Sequence, residues 1–275
     1  MTLAMDKAES VLRLLVEGCR IRSIERLTGV HRDTVLSLLE TVGEKCERLL
    51  EERIQGLKVS DVQCDEIWGF CGMKEKTKHR NGRDEESTIG DAWCFVAIER
   101  NTKLILAWHL GRRTAQDTEN FTEKLHHATS GNFQISTDGF VAYKEAIIYS
   151  LGTRVDFAQI IKIYGLPEGE EHRYSPPQVI DIKKIAIHGQ PNLEIAGTSH
   201  VERANLTIRM QMRRMTRLTN AFSKKWMNLN YAYALHFFHY NFMRVHSTLR
   251  VTPAMESGIA NSLWSWRDLL AATHD

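Results

Sequence analysis

The apolar residues of this chain change their spacing near Val59, and that change limits what the chain can fold into more than any other feature. Before it, Leu12, Leu15, Ile21, Ile24, Leu27, Val35, Leu38 and Leu39 recur at the three-and-four spacing of amphipathic helices. This predicts a small helical unit over about residues 6–56. After it the period is two. Residues 62–70, 91–99 and 104–110 read as three strands in meander order, with Asn101-Thr102-Lys103 as a tight turn between the last two. Residues 118–128 then read as a helix, 133–137 as a strand, 141–151 as a helix and 155–163 as a strand. A meander that gives way to alternation with helices predicts an α/β or α+β domain, a mixed sheet flanked by helices. Two stretches fall outside this pattern. The charged residues 73–90, with an Asn81-Gly82 turn signal, read as a solvated hairpin extension. Residues 166–197 hold Pro167, Pro176, Pro177 and Pro191, four of the five prolines, and read as an insertion.

Composition adds exclusions. At 275 residues and 43% hydrophobic, the chain can bury a full core, which excludes disordered and miniprotein readings. Asp6, Glu9, Arg13 and Glu17 interrupt the N-terminal stretch where a signal peptide needs an apolar run, so a cytoplasmic location is expected. The five cysteines are odd in number and contain no Cys-x-x-Cys pair, so they read as small buried hydrophobes rather than as a disulfide or zinc framework. Net charge is only +2, but it is segregated. Residues 200–250 hold nine Lys/Arg against one acid, Glu202, while the other 224 residues hold 27 against 33.

Within the helical unit, residues 23–35 resemble a helix-turn-helix. Gly29 can supply the left-handed turn, and a second helix beginning near His31 would expose His31, Arg32 and Thr34 at its start, where base edges or phosphates are reached. Three acids stand out in the remainder. Asp65 lies inside the first strand, sharing a face with Gln63 and Ile67, while Glu66 shares the other with Cys64 and Trp68. A carboxylate inside an apolar strand is costly unless something neutralises it. Asp138 directly follows the strand 133–137, at the carboxyl end where open α/β sheets place their chemistry. Glu202 lies on a helix whose buried stripe is Val201, Ala204, Ile208, Met212 and Met215. It heads an exposed row of Asn205, Leu206, Arg209, Arg213 and Arg217. Acids at a strand, a strand end and a helix are together best explained by a metal site. Hard divalent cations take oxygen ligands, and two of them can activate an attacking oxygen and stabilise a leaving oxygen in phosphoryl transfer. The arginine row would hold a phosphate backbone beside them.

At these residues the sequence resembles a DDE-type transposase of the IS-one group of bacterial and archaeal insertion sequences. The matching blocks are Cys64-Asp65-Glu66-Ile67-Trp68, Gly111-Arg112-Arg113-Thr114, Thr137-Asp138-Gly139, and Val201-Glu202-Arg203-Ala204-Asn205-Leu206-Thr207-Ile208-Arg209 running on to Arg213-Arg214 and Asn220-Ala221-Phe222-Ser223-Lys224-Lys225. Tyr240-Asn241-Phe242-Met243-Arg244-Val245-His246-Ser247-Thr248-Leu249 with Thr252-Pro253 is similar to a C-terminal segment of retroviral-integrase-like transposases. The resemblance implies a ribonuclease-H-like core over 58–256, a helix-turn-helix DNA-binding unit over 1–57 and a helical tail over 257–275. It implies Asp65, Asp138 and Glu202 as the catalytic, metal-binding triad for Mg²⁺ or Mn²⁺, with two ions. The partners would be double-stranded DNA, as terminal inverted repeats and as target, and further copies of the chain in a homodimer or higher oligomer. No membrane partner is implied, and the location would be the nucleoid of a prokaryotic cytoplasm. Candidate DNA contacts are His31, Arg32, Thr34, Asn205, Arg209, Arg213, Arg217, Lys224 and Lys225. The rival readings are a structure-specific nuclease or resolvase on the same core, and a non-catalytic DNA-binding protein. Two departures from the family pattern stand out: no cysteine pair for an N-terminal zinc finger, and a long gap from Asp138 to Glu202, assigned to the insertion.

The remaining signals read as structural. The aromatic run from Trp226 to Phe242 predicts a core or subunit-facing helix, and Trp264 and Trp266 an anchored last helix. His200 is read as a DNA or solvent contact, and His239, His246 and Arg250 as loop residues near phosphate.

Overall fold

The computed structural model describes residues 3–165 and 178–272. Three helices come first: α1 (Met5–Val16), α2 (Ile21–Thr28) and α3 (Arg32–Arg53). Val11, Ile24, Val30 and Val35 bury against one another to join them. Gly29, at φ 69°, ends α2 in the left-handed conformation, and the His31 ring caps α3 by accepting from the Asp33 N–H. The short strand β1 (Leu57–Lys58) pairs with β5 (Thr129–Ser130).

The main sheet has six strands in the order β4-β3-β2-β6-β7-β8. Strands β2 (Asp61–Cys71), β3 (Gly90–Glu99) and β4 (Ile105–Gly111) form the expected antiparallel meander. Strands β6 (Phe133–Asp138) and β7 (Val155–Gly165) then add in parallel, reached through α5 (Ala115–Ala128) and α6 (Ala142–Leu151). A mixed sheet in an α+β arrangement is therefore what the chain forms.

Strand register assigns the helices to faces. Glu66 sits opposite Phe95, whose ring meets Phe121 of α5 and Tyr143 of α6 at centroid distances of 5.6 and 6.3 Å. Asp65 sits opposite Val96, itself opposite Trp108, whose ring meets Tyr233 and Phe237 of α8 (Trp226–Phe238) at 6.1 and 5.5 Å. Helix α7 (Ser199–Gln211) packs on this second face, where the Gln63 side chain accepts from the His200 N–H at 2.8 Å. Both faces are covered, which is why β2 is apolar and buried on both sides. The aromatic run lies in this core, with Tyr233, Phe237, Phe238 and Phe242 fully buried. Cys46, Cys64, Cys71 and Cys94 are buried and unpaired, as small hydrophobes are, and Cys19 is half-buried.

Four expectations change. Residues 73–90 do connect two antiparallel strands, but they contain a helix, α4 (Glu75–Arg80). It is tied to β3 because Glu75 and Asp91 each accept the other's backbone N–H at 3.0 Å. Of the proposed insertion, residues 166–177 lie outside the described residues, and β8 (Gln178–His188) is no loop but an edge strand antiparallel to β7. Helix α7 stops at Gln211, so Arg213 and Arg217 do not continue its exposed row; Arg213 begins a short 3-10 turn through Met215. His239 is not in a loop either. It opens a π-helical turn over His239–Met243 and its ring stacks on Trp266 at 5.5 Å.

The helical unit is not a separate body. Leu39, Leu49 and Leu50 of α3 share one hydrophobic core with the sheet and α8. Gly43 makes the α3–α8 approach possible, since a Cβ there would lie 2.8 Å from the Tyr231 Cα. The C-terminal helices α9 (Pro253–Glu256) and α10 (Trp266–Ala271) close the molecule. Lys45 of α3 donates to the Leu270 carbonyl, and Arg267 pairs with Asp6 at 3.0 Å. Among the described residues no helix is long and apolar enough to cross a membrane.

Candidate metal centre

Strands β2 and β6 run parallel and stay paired only as far as Cys64 and Thr137. The next residues, Asp65 and Asp138, therefore stand side by side where the two strands part. Glu66 follows on β2. Strand β2 stays paired with β3 through this stretch, so Asp65 and Glu66 keep opposite faces of the sheet; with β6 no longer beside them, both carboxylates can reach the Asp138 side chain at its end. Carboxylate oxygens of Asp65, Glu66 and Asp138 all lie within 4.8 Å of one another.

Each carboxylate has a defined support. Asp65 is half-buried and its Oδ2 accepts from the Asn205 amide of α7 at 2.9 Å. Glu66 is buried; it accepts from Arg113 Nε at 2.8 Å and from the Tyr143 hydroxyl at 3.3 Å. Asp138 accepts from the Phe140 N–H at 2.9 Å, and its other oxygen is 3.9 Å from Arg113. The Arg113 guanidinium is held over the Phe140 and Trp93 rings at 4.2 and 4.8 Å. Burial, and then the negative charges of Glu66 and Asp138, push Asp65 up to about 7. Burial and the Asp138 charge likewise push Glu66 up to about 7 against the pull of Arg113. Two carboxyl groups titrating near neutrality show that one guanidinium does not compensate three carboxylates. An all-oxygen, electron-rich donor set of this kind fits a hard divalent cation.

Glu202 is placed differently. It sits one turn before Asn205 on α7, near enough to help raise Asp65, but its carboxylate is engaged by Lys162 of β7 and by the Thr198 hydroxyl at 2.5 Å. The structure thus brings Asp65 and Asp138 together, puts Glu66 beside them, and holds Glu202 next to the group on a lysine. Period-two reasoning assigned Glu66 to the opposite face and passed it over. The available signal was Arg113 in the Gly111-Arg112-Arg113-Thr114 block, a cation that pairs with Glu66 and lies near Asp138.

The candidate DNA contacts divide into two sets. His31, Arg32 and Thr34 are exposed at the start of α3, and Arg217, Lys224 and Lys225 are exposed around the segment before α8. Asn205 is buried with its amide spent on Asp65, and Arg209 donates to the Trp68 and Met215 carbonyls, so both act within the chain. Arg213 is half-buried. Among the described residues, none of the nine Lys/Arg of residues 200–250 forms an ion pair with a carboxylate. Elsewhere Arg13, Arg83, Arg100 and Arg113 all have one.

Compared with known protein families the chain matches none, and no curated protein matches it.

Proposed function

We propose that this protein is a divalent-metal-dependent phosphoryl-transfer enzyme acting on DNA. More specifically, we infer a DDE-type transposase with a ribonuclease-H-like core and a helix-turn-helix in its first three helices. The observation that carries the reading is the convergence of Asp65, Glu66 and Asp138 where the parallel strands β2 and β6 part, in the middle of β2 and at the carboxyl end of β6. Asp65, Glu66 and Asp138 would hold the Mg²⁺ or Mn²⁺, and Glu202 would complete the set for a second ion once Lys162 releases it. Bound there, such ions activate an attacking oxygen and stabilise a leaving one.

The chain's own groups have separate tasks. Asn205 orients the Asp65 carboxylate, while Arg113 and Tyr143 orient Glu66. Lys162 keeps Glu202 neutralised beside the cluster. The exposed cations of residues 200–250, none of them in an ion pair among the described residues, supply the field that retains a polyanion, since each phosphate contact releases a counterion. In the reaction, water attacks an end phosphodiester and the P–O3′ bond breaks to free a 3′-hydroxyl. That hydroxyl then forms a new P–O bond in target DNA as the target's own P–O3′ bond breaks. A protein that only binds DNA gains nothing from acids set beside phosphates, which favours the catalytic reading.

The test is a strand-transfer assay with labelled duplexes carrying the ends of the encoding element, in Mg²⁺ or Mn²⁺. Wild type is expected to give joined product and Asp138→Asn none. Joining by the variant would remove the acid cluster from the mechanism, and cleavage without joining would assign a nuclease.

A further inference from the structure

A groove of about 1040 Å³ runs between the N-terminal helices and the segment 212–225 that leads into α8. Its walls carry Arg20 and Arg22 from the start of α2, and Arg213, Arg214, Lys224 and Lys225 from the opposite side. Among the described residues none of these six is in an ion pair, and the acids on the same walls are Asp33 and Glu40. Arg214 is the informative one. Its Nη1 donates to the Ser223 hydroxyl at 2.8 Å, while its Nη2 is sealed from solvent with no acceptor. Burial without a carboxylate partner lowers it to about 10. A cation set in a low-dielectric wall and left uncompensated projects its field into the adjoining groove. At the rim, Leu218 is fully exposed and holds φ at 57°, a left-handed conformation that a branched side chain rarely adopts. Folding does not bury this leucine; the loop presents it to solvent between Arg217 and the lysines.

We propose that this groove takes the phosphate backbone of a DNA duplex, with Leu218 inserting between base pairs at its rim. The inference rests on the DNA reading above but not on the acid cluster. The exposed Arg20, Arg22, Lys224 and Lys225 supply the phosphate contacts, and buried Arg214 adds its field from the wall. An apolar side chain among them, held on a strained turn, is the kind of wedge that partly unstacks a base step. The groove lies between the helical unit and the segment leading into α8, so duplex lying in it ties both parts of the chain to one DNA.

The test is binding by the full chain to a fluorescently labelled duplex of about thirty base pairs without divalent metal, followed by anisotropy across a salt series. Arg22 and Lys225 are exposed, so their replacement leaves the core intact. Arg22→Gln with Lys225→Gln is expected to flatten the log–log salt slope by about 1.8, the value for two phosphate contacts. Leu218→Ala is expected to keep the wild-type slope and lose the fluorescence rise of a 2-aminopurine placed in the duplex. Wild-type binding with an unchanged slope in the double variant would overturn the groove alone. An undiminished 2-aminopurine rise in Leu218→Ala would overturn the wedge. Failure of wild type to bind any duplex would overturn the DNA reading beneath both.

Discussion

Asp65 and Glu66 show how one residue of context decides a role. Both belong to an apolar strand, yet they end within reach of Asp138 because β6 stops pairing with β2 at Thr137. Their raised pKa values have a consequence for stability. Asp65 titrates near 7 in the fold against an ordinary 3.8, so the native state holds its proton more tightly than the unfolded chain does. The stability linked to that proton is fully present below pH 3.8 and is lost as pH rises through 7. Asp65→Asn removes the loss while keeping an acceptor for Asn205. In metal-free protein the variant should therefore exceed wild type by on the order of 1–3 kcal/mol at pH 8, with the difference vanishing near pH 4. Urea denaturation at the two pH values checks this. Equal midpoints at pH 8 would mean that the carboxylate is already compensated. Glu66→Gln should weaken Mn²⁺ binding about tenfold or more by calorimetry, since it removes one of three oxygen donors, a change comparable to loss of a supporting ligand group. Glu202→Gln should weaken the first ion less, because Lys162 already engages that carboxylate.

At the scale of elements, the period-two strands and the helices between them were legible because each has a full pattern of buried positions. Where an element ends was less so. Helix α7 carries no glycine or proline after Gln211, and nothing local stops it. Beyond its end Met215 packs inward, where its sulfur meets the Tyr233 hydroxyl and its methyl abuts Gly69. Arg209 donates to the Trp68 and Met215 carbonyls, tying the end of α7 to β2. A helical wheel shows which side of α7 Asn205 and Arg209 occupy, but not what covers that side. Helix α3 has the converse feature: Gly43 is unfavourable for a helix interior and is there for the crossing with α8. Gly43→Ala should therefore destabilise by about 1–3 kcal/mol despite alanine's better helix propensity, because overpacking prevails. Equilibrium unfolding in urea measures it, and a stabilised variant would show that the two helices can separate freely.

For the whole molecule, the helical unit and the sheet domain share a core. Leu39, Leu49 and Leu50 pack with residues of the sheet and α8, and α10 is fastened to α3 through Lys45. Deleting residues 1–56 should leave a chain that exposes this apolar surface, binds a hydrophobic dye and lacks a near-ultraviolet circular dichroism signal. A cooperative unfolding transition in that fragment would show that the sheet domain stands alone. Shared packing also bears on DNA: cations of α2 and of residues 212–225 face one groove only because the two regions are fastened together.

The sequence by itself determined the helical start, the meander, the two parallel strands, and the acids Asp65 and Asp138 with their basic neighbour segment. Those features follow from local periodicity and from the cost of placing charge in an apolar strand, which need no knowledge of distant residues. Tertiary structure decided that Glu66 joins the two aspartates, that Lys162 holds Glu202, that Asn205 and Arg209 serve the interior, and that β8 extends the sheet. Each depends on which strand ends first or which helix lies above. Such contacts between residues far apart in sequence leave no periodic trace in the chain.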